Sequence, residues 1–524
     1  MHKPVLKNPL RGGIEGIFFR NLAAGYLLLG IVFVYFYRFQ LNTDGFGYLS
    51  IAQKYADGNF GPAVNGFWSP MYSWLAAVPI AAGLPAMIAA KIVGLLAGLA
   101  LLFAVKKLLC CFDLEQFTRK AVLAALVPIS VYCAVSLTTP DLLAAVFVVY
   151  YLGLIFDRDY PVKNYGLWCG ILGGMAYLAK TYAFLFFGAH FLLFSMILFW
   201  RSNLPAEKKN IVRNFIVGIA AFAAVSGSWI AVISAKYGEF TIGRTGTYNL
   251  AAYGPGASGD PLDYLGFLPP ADRYSLSAWD DPGLIDIPAA KETTMAQKLS
   301  HYSRNTVENA VKTFVVIYSR FSLLALAAFV FSIIVILKRA SKRIFARDHI
   351  YIVLTILAVQ SGYLPIHIEE RYIWAAHVLL LILAVKIVQD LFYSSRNEKI
   401  KKIMICFAAF SFALAPVYKL ISRIDTGKEY GVAHERLEGS GIGGRIASSA
   451  KWSESLVLAF YAGGQYYGIP KPGIGQDELA SQLAEYGVDY YIFWHDSGVL
   501  PDFLKNKEDV SGGKNPNMSV YLLK

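Results

Sequence analysis

Asp44, Asp141, Lys180 and the run His367, Glu369, Glu370, Arg371, Tyr372 each abut a long apolar stretch. Ionisable groups at the margin of a greasy segment are costly and usually functional. The types suggest one kind of chemistry. A carboxylate can take a proton from an attacking hydroxyl. Arginine meets a phosphate with a bidentate fork, and lysine meets it as a point charge. Asp44 and Asp141 are therefore candidate catalytic acids or bases. Lys180 and Arg371 are the candidate cationic groups, with Glu370 positioning Arg371 and Tyr372 beside it. Each has a plainer alternative. Asp44 suits the N-cap of a helix, and Asp141 could cap a helix after Pro140. Lys180 could snorkel to a membrane surface. Glu369, the weaker candidate of its pair, and Glu370 could form a solvated turn, and His367 could be a simple turn residue. His190 and His377 read as structural.

The elements that must position these groups are membrane helices. Of 524 residues 56% are hydrophobic and only 16% charged, against ~25% charged in a soluble domain, and mean hydropathy is +0.46. Apolar runs recur at the length needed to cross about 30 Å of hydrocarbon. Eleven spans are predicted, near 17–38, 86–105, 120–137, 141–156, 165–180, 184–200, 213–235, 313–337, 349–365, 372–391 and 402–420. The first is long and precedes Tyr37, Arg38 and Phe39 rather than a small-residue cleavage site, so it reads as a span and not a leader. The expected fold class is an α-helical polytopic membrane protein with juxtamembrane helices and a small C-terminal α/β domain. The five cysteines sit in or beside apolar runs and show neither a disulfide framework nor metal-ligand spacing.

Charge sets an expected orientation. Lys3, Lys7 and Arg11 precede the first span. Lys106, Lys107, Arg119 and Lys120, then Arg158 and Lys163, then Arg201, Lys208, Lys209 and Arg213 fill later loops. Lys338, Arg339, Lys342, Arg343 and Arg347, and finally Arg396, Lys399, Lys401 and Lys402, complete the set. Counting spans puts all of them on one side, which is the cytoplasmic side of an inner membrane with a cytoplasmic N-terminus. The net charge of +12 is thereby explained without a nucleic-acid partner; the expected environment is the lipid bilayer.

The opposite side holds a first outer loop at 39–85, a long outer loop at 236–312 and the tail from 422. In the first, Tyr48, Ile51, Ala52 and Tyr55 follow a helical stripe with Ser50, Gln53, Lys54 and Asp57 opposite, which predicts an amphipathic helix in the interface. A second juxtamembrane helix is expected after Pro70. The long loop is rich in Gly, Pro, Asp and Tyr and should end in an amphipathic helix over 292–311. A loop of this length is usually functional or disordered. Residues 1–421 form the expected catalytic membrane domain and 422–524 an extracytoplasmic α/β domain. There ESLVLAF and VDYYIFW read as strands, DELASQLAEYG as a helix with a Gly stop and MSVYLLK as a last strand. That domain carries no catalytic motif and reads as a lid or docking module. No internal repeat is evident.

The motifs, in order, resemble a known superfamily. An acid follows the first span in the frame Asp44, Gly45, Tyr48, Ala52, and Trp68 to Tyr72 read W-S-P-M-Y. Thr139, Pro140 and Asp141, the lysine of AYLAK (Lys180), and Glu370, Arg371 and Tyr372 follow. Together with the span count and sidedness, this resembles the GT-C glycosyltransferases, in the branch of the protein O-mannosyltransferases and the lipid A aminoarabinose transferases. The protein mannosyltransferases carry an Asp-Glu pair at the first motif; here Gly45 follows Asp44, which argues against a protein mannosyltransferase proper. The resemblance implies a membrane glycosyltransferase that takes a sugar from a polyprenyl-phosphate donor and delivers it to a hydroxyl on a lipid, glycan or protein acceptor on the extracytoplasmic face.

In that scheme Asp44 is the base and Lys180 and Arg371 hold the leaving phosphate. Asp141 orients sugar or acceptor, and the displacement inverts the anomeric carbon. Tyr48, Trp68, Tyr72, His367 and Trp279, the last beside Asp280 and Asp281, are candidate sugar or acceptor contacts. No cofactor is expected. A divalent metal shared by Asp44 and Asp141 is the less favoured arrangement, because the cations already neutralise phosphate. The rival readings are a flippase or transporter of lipid-linked sugars, which should carry charge through the midplane, and a membrane glycan polymerase or ligase.

Overall fold

The computed structural model describes residues 9–288, 291–337, 343–393, 397–437, 441–513 and 515–524. Lys3, Lys7, Lys338, Arg339, Lys342 and Arg396 of the charge argument lie outside them. The bundle is built from α1 (Pro9–Phe36), α2 (Thr43–Ala56), α3 (Pro70–Ala81), α4 (Ala86–Leu109), α5 (Gln116–Ser136), α6 (Asp141–Ile155), α7 (Gly166–Ala179), α8 (Ala183–Arg201) and α9 (Pro205–Tyr237). It continues through α10 (Thr245–Tyr253), α11 (Met295–Val311), α12 (Leu323–Leu337), α13 (Arg343–Ser361), α14 (Trp374–Leu391), α15 (Glu398–Ser411) and α16 (Leu414–Ser422).

Every expected span falls on helix. Among the described residues six helices are long and apolar enough to cross a membrane, and the pair α15–α16, bent by 44°, can serve as a seventh. The helices α6, α7 and α12 are apolar but short. Two of these lie inside the bundle. Gly166, Gly170 and Gly174 sit one turn apart on α7, and a Cβ at Gly170 would collide with the Gly218 carbonyl of α9. Small residues at this spacing let two backbones touch.

The eighth expected span, 313–337, is not one helix. A π turn over Lys312–Ile317 and a turn at Tyr318–Phe321 end at Ser322, whose extended backbone (φ −172°) restarts the chain as α12. The Ser322 hydroxyl accepts the Leu324 N–H at 3.1 Å, the bond of an N-cap. The α15–α16 bend lies beside Pro416, which cannot donate to the preceding turn. The cationic loops collect at one end of the bundle, as the charge pattern predicted. Lys107 lies 3.7 Å from Asp157, Arg347 Nη1 lies near the Cys111 carbonyl, and Lys401 pairs with Glu115.

At the other end sits a four-stranded sheet in the order β2 (Gln465–Tyr466), β1 (Arg445–Ser448), β3 (Tyr490–Trp494), β4 (Met518–Leu522). The first three strands are parallel and β4 is antiparallel. The strand at 490–494, the last strand, and the helix α18 (Gln476–Glu485) match expectation, and Gly487 stops that helix at φ +59°. ESLVLAF does not form a strand. It belongs to α17 (Trp452–Tyr461), where Leu456, Val457, Leu458 and Ala459 are all buried. A short apolar run buried all round carries no period to separate strand from helix. The short strands β1 and β2 were not anticipated.

Helix α2 departs from the amphipathic reading. Half of its polar side does not face water: Ser50 and Lys54 are buried, while Gln53 and Asp57 are exposed. The segment before Trp279 runs along the sheet edge, where Tyr466 N–H donates to the Leu276 carbonyl at 2.6 Å and Leu268 N–H to the Tyr467 carbonyl at 2.8 Å. The same segment grips α2. Lys54 Nζ lies 2.8 Å from Ser275 Oγ and 3.5 Å from Asp272, and Ser50 donates to the Asp280 carboxylate. Asn65 donates to the Asp280 carbonyl at 2.7 Å. The sheet thus braces, through this loop, the helix that carries Asp44 in its first turn.

Burial pushes the Asp280 carboxyl up to about 6, with Lys54 opposing. The folded state therefore binds this proton more tightly than the unfolded chain. Stability from this group is fully present below the ordinary carboxylate range and is lost as pH rises through about 6. The shift corresponds to roughly 3 kcal/mol. Thermal unfolding of wild type should gain stability between pH 7 and 5 relative to Asp280→Asn. Parallel pH profiles in the two proteins would refute this.

Candidate functional site

Four elements bring the charges together. Asp44 lies in the first turn of α2, where the N-terminal dipole favours an anion. It is not the N-cap. That position belongs to Asn42, whose side-chain oxygen accepts the Thr138 N–H at 2.9 Å and so ties the start of α2 to the link ahead of Asp141. Asp141 opens α6 directly after Pro140 and makes no capping bond. Lys180 ends α7 in extended backbone. Arg371 and Tyr372 lie in a single 3-10 turn, Glu370–Ile373, that leads into α14.

The contacts join these residues into one set. Arg371 Nη1 is 2.7 Å from Asp44, and its Nε is 2.8 Å from Glu369. Lys180 pairs with Asp141, so it does not simply snorkel, and its ammonium lies 3.8 Å from the centre of the Tyr372 ring. The Tyr372 hydroxyl reaches Glu369 at 3.2 Å, and His367 Nε2 lies 3.4 Å from the same carboxylate. Burial pushes the Asp44 carboxyl above its ordinary range, against the pull of Arg371. Burial works on Glu369 in the same sense, but the hydrogen bond from His367 and the charge of Arg371 outweigh it and hold that carboxyl well below the usual range.

The arrangement corrects several assignments. Glu370 does not position Arg371; it turns away and pairs with Lys419 at 2.9 Å. Glu369, the weaker candidate by sequence, is the residue that grips Arg371. In a run of two adjacent acids nothing in the chain says which one points inward. Trp279 is not an open sugar platform. It is buried among Phe67, Trp68, Tyr248 and Trp452. Trp68 and Tyr72 are likewise packing residues; the Trp68 indole donates to the Trp279 carbonyl at 2.9 Å and the Tyr72 hydroxyl to the Ala90 carbonyl. Tyr48, one turn beyond Asp44, is buried against both rings. His367 is half-buried and stacks on Tyr253 of α10 at 4.9 Å. His190 is structural, held by Tyr151 and Thr355. Lys91, inside a span, was missed. It is buried and donates to the carbonyls of Gln40 and Val135, pinning both chain segments that lead to the acids. A lysine within an apolar run was the available signal.

Gly45 has a steric reason. A Cβ there would lie 2.9 Å from Thr138 Cβ and 2.5 Å from the Leu41 side chain. Gly45→Glu, which would restore an Asp-Glu pair, is expected to cost about 1–3 kcal/mol through overpacking. An unfolding transition as high as that of wild type would show that the contact yields.

Two spaces flank the set. A cavity of about 580 Å³ is lined by Asn42, Thr43, Asp44, Arg371, Lys419 and Arg423, among others. On the other side a narrow slot runs from Asp141 and Lys180 down Ala144, Ala145 and Val148 of α6, against Phe186 and Val359. Positions 141, 144, 145 and 148 share one helix face. The slot is thus charged at its mouth and apolar along its length.

A polytopic helical bundle with juxtamembrane helices and a small sheet domain at the end where Asp44 and Arg371 meet is the architecture that the motif order led one to expect. No family model and no curated protein matches the sequence. Solved structures do match, among them two of one protein. The crystal structure of ArnT from Cupriavidus metallidurans bound to undecaprenyl phosphate matches with a TM-score of 0.59 at 12% identity, over 95% of this chain and 97% of that chain. The apo state of the same protein matches with a TM-score of 0.53 at 12% identity, over 95% and 98%.

Proposed function

We propose that this protein is a membrane glycosyltransferase that moves a sugar from a polyprenyl phosphate to an acceptor hydroxyl on the extracytoplasmic face. One observation carries the reading: two acid–cation pairs drawn from four separate elements stand side by side, Asp141 with Lys180 at the mouth of an apolar slot and Asp44 with Arg371 on the wall of the adjoining cavity. That is what a lipid with a charged head requires. The tail lies along Ala144, Ala145 and Val148, and the phosphate meets Lys180 and Arg371. The fold match to ArnT bound to undecaprenyl phosphate supports the same ligand class.

Asp44 takes the acceptor proton as the acceptor oxygen bonds to the anomeric carbon. The bond from that carbon to the phosphate oxygen breaks, and the lipid phosphate leaves with the electron pair. Its added negative charge falls on Arg371 and Lys180. Asp141 holds Lys180 in place, and Glu369 occupies the Nε edge of Arg371 so that Nη1 faces Asp44. One displacement inverts the anomeric centre. The cations supply the charge a metal would supply, so turnover is expected to persist in EDTA. The acceptor lies in the 580 Å³ cavity, and residues 422–524 form the extracytoplasmic domain that braces α2.

The test is a transfer assay in lipid vesicles with a panel of radiolabelled polyprenyl-phosphate sugars, scored for sugar leaving the lipid to water or to a cell-envelope extract. Turnover with one donor, insensitive to EDTA, supports the reading. Passage of the labelled lipid across the bilayer without transfer would replace it with a flippase.

A further inference from the structure

Helix α11 plays no part in the mechanism above, yet its surface is unusual. None of its residues is buried. Met295, Leu299, Val307 and Val311 are 79%, 67%, 63% and 55% exposed, and at about 100° per residue they share one half of the circumference. The opposite side is polar and engaged. His301 Nε2 lies 3.0 Å from the Tyr253 carbonyl, and Asn309 donates to the Leu364 carbonyl at 2.8 Å. Directly after the helix, Lys312 donates to the Ile368 carbonyl at 2.8 Å. Arg304 and Glu308, paired at 2.7 Å, mark a charged edge between the two sides. A capping box at Thr294 and Gln297 starts the helix firmly.

We infer that α11 lies on the bilayer surface with its apolar half in the acyl-chain boundary, and that this seating holds the 364–371 turn in place. The occupant follows from continuity. The helix passes without a break into the π turn and then reaches the apolar helix α12, whose Leu323, Val330 and Leu337 are exposed as well. The apolar half therefore continues an existing exposed apolar surface. A lone helix face of this kind binds in the interface by its buried apolar area. What it carries is specific. Asn309 and Lys312 hold the backbone of the turn that presents Glu369 and Arg371, and His301 holds the end of α10, where Tyr253 stacks on His367. The inference rests on the protein spanning a membrane and does not require the transfer reaction.

Nitroxide labels at Leu299→Cys, Val307→Cys and Glu308→Cys, on a chain with Cys110→Ser and Cys406→Ser, test the placement in phosphatidylcholine nanodiscs. Labels at 299 and 307 should collide preferentially with oxygen, and the label at 308 with a water-soluble nickel chelate. Equal nickel access at all three overturns the proposal. The anchoring role is tested by Leu299→Glu with Val307→Glu. Amide exchange over residues 361–371 should rise at least tenfold, while the sheet strands at 445–448 and 490–494 stay unchanged. Unchanged exchange in the turn overturns that role, and a rise in the sheet as well would show general misfolding rather than lost anchoring.

Discussion

Asp44→Asn is expected to lower the transfer rate by ~10²–10⁴-fold while donor binding is kept, the usual contribution of a positioned general base. Asparagine keeps the shape of the side chain in the first turn of α2 and leaves the packing of Tyr48, Trp68 and Tyr72 alone. It removes the proton acceptor and the partner that Arg371 meets at 2.7 Å. The pH profile carries further information. Burial raises the carboxyl above its ordinary range. The base acts only when ionised, so the rate falls as pH drops through this raised value. The acid limb of kcat/KM should therefore lie above the ordinary carboxylate range in wild type and be absent in Asp44→Asn. Equal rates in the two proteins would reduce Asp44 to an ion-pair partner of Arg371.

Arg371→Met should have the largest combined effect. Arg371 serves Asp44 through Nη1 and Glu369 through Nε, and its side chain is only 13% exposed. Methionine leaves two carboxylates near each other without the charge between them. Breaking a fully buried pair by removing one partner costs about 3–5 kcal/mol; with Asp44 24% and Glu369 38% exposed, solvent screening lowers the expected cost to about 1–3 kcal/mol. The leaving phosphate loses a cationic donor at the same time, and loss of one such charge-stabilising group costs ~10²–10³-fold in rate. Arg371→Lys separates the two effects. A lysine retains the charge but cannot span Asp44 and Glu369 with separate edges. It should recover most of the thermal stability and little of the turnover. If Arg371→Met melts with wild type, the ion-pair account is wrong. If Arg371→Lys turns over at the wild-type rate, the fork is not needed.

Much of this architecture can be read along the chain. A span needs only about 20 apolar residues in sequence, so each expected span falls on helix. The sidedness of the cationic loops follows from counting, and the loops do meet at one end. Asp141, Lys180 and Arg371 stood out for the same reason: a charge against an apolar run has few structural excuses. Local pattern failed where partners are distant. Lys54 and Ser50 read as the wet face of α2 because nothing nearby in sequence reveals that Asp272, Ser275 and Asp280 cover them. ESLVLAF read as a strand because a uniformly buried run has no period. The choice of Glu369 over Glu370 depends on the twist of one 3-10 turn.

The sequence by itself determined that this is a membrane-embedded helical bundle, which residues bear charge at its margins, and in what order they arrive. Hydropathy and charge are local properties, and the bilayer acts on them one segment at a time. Only the tertiary structure decided that Arg371 faces Asp44 and Glu369, that Lys180 faces Asp141, that Glu370 belongs to Lys419, and that Trp279 packs rather than binds. Arg371 and Glu369 meet within one turn; the other contacts join segments tens to hundreds of residues apart and depend on helix crossings that no single segment contains.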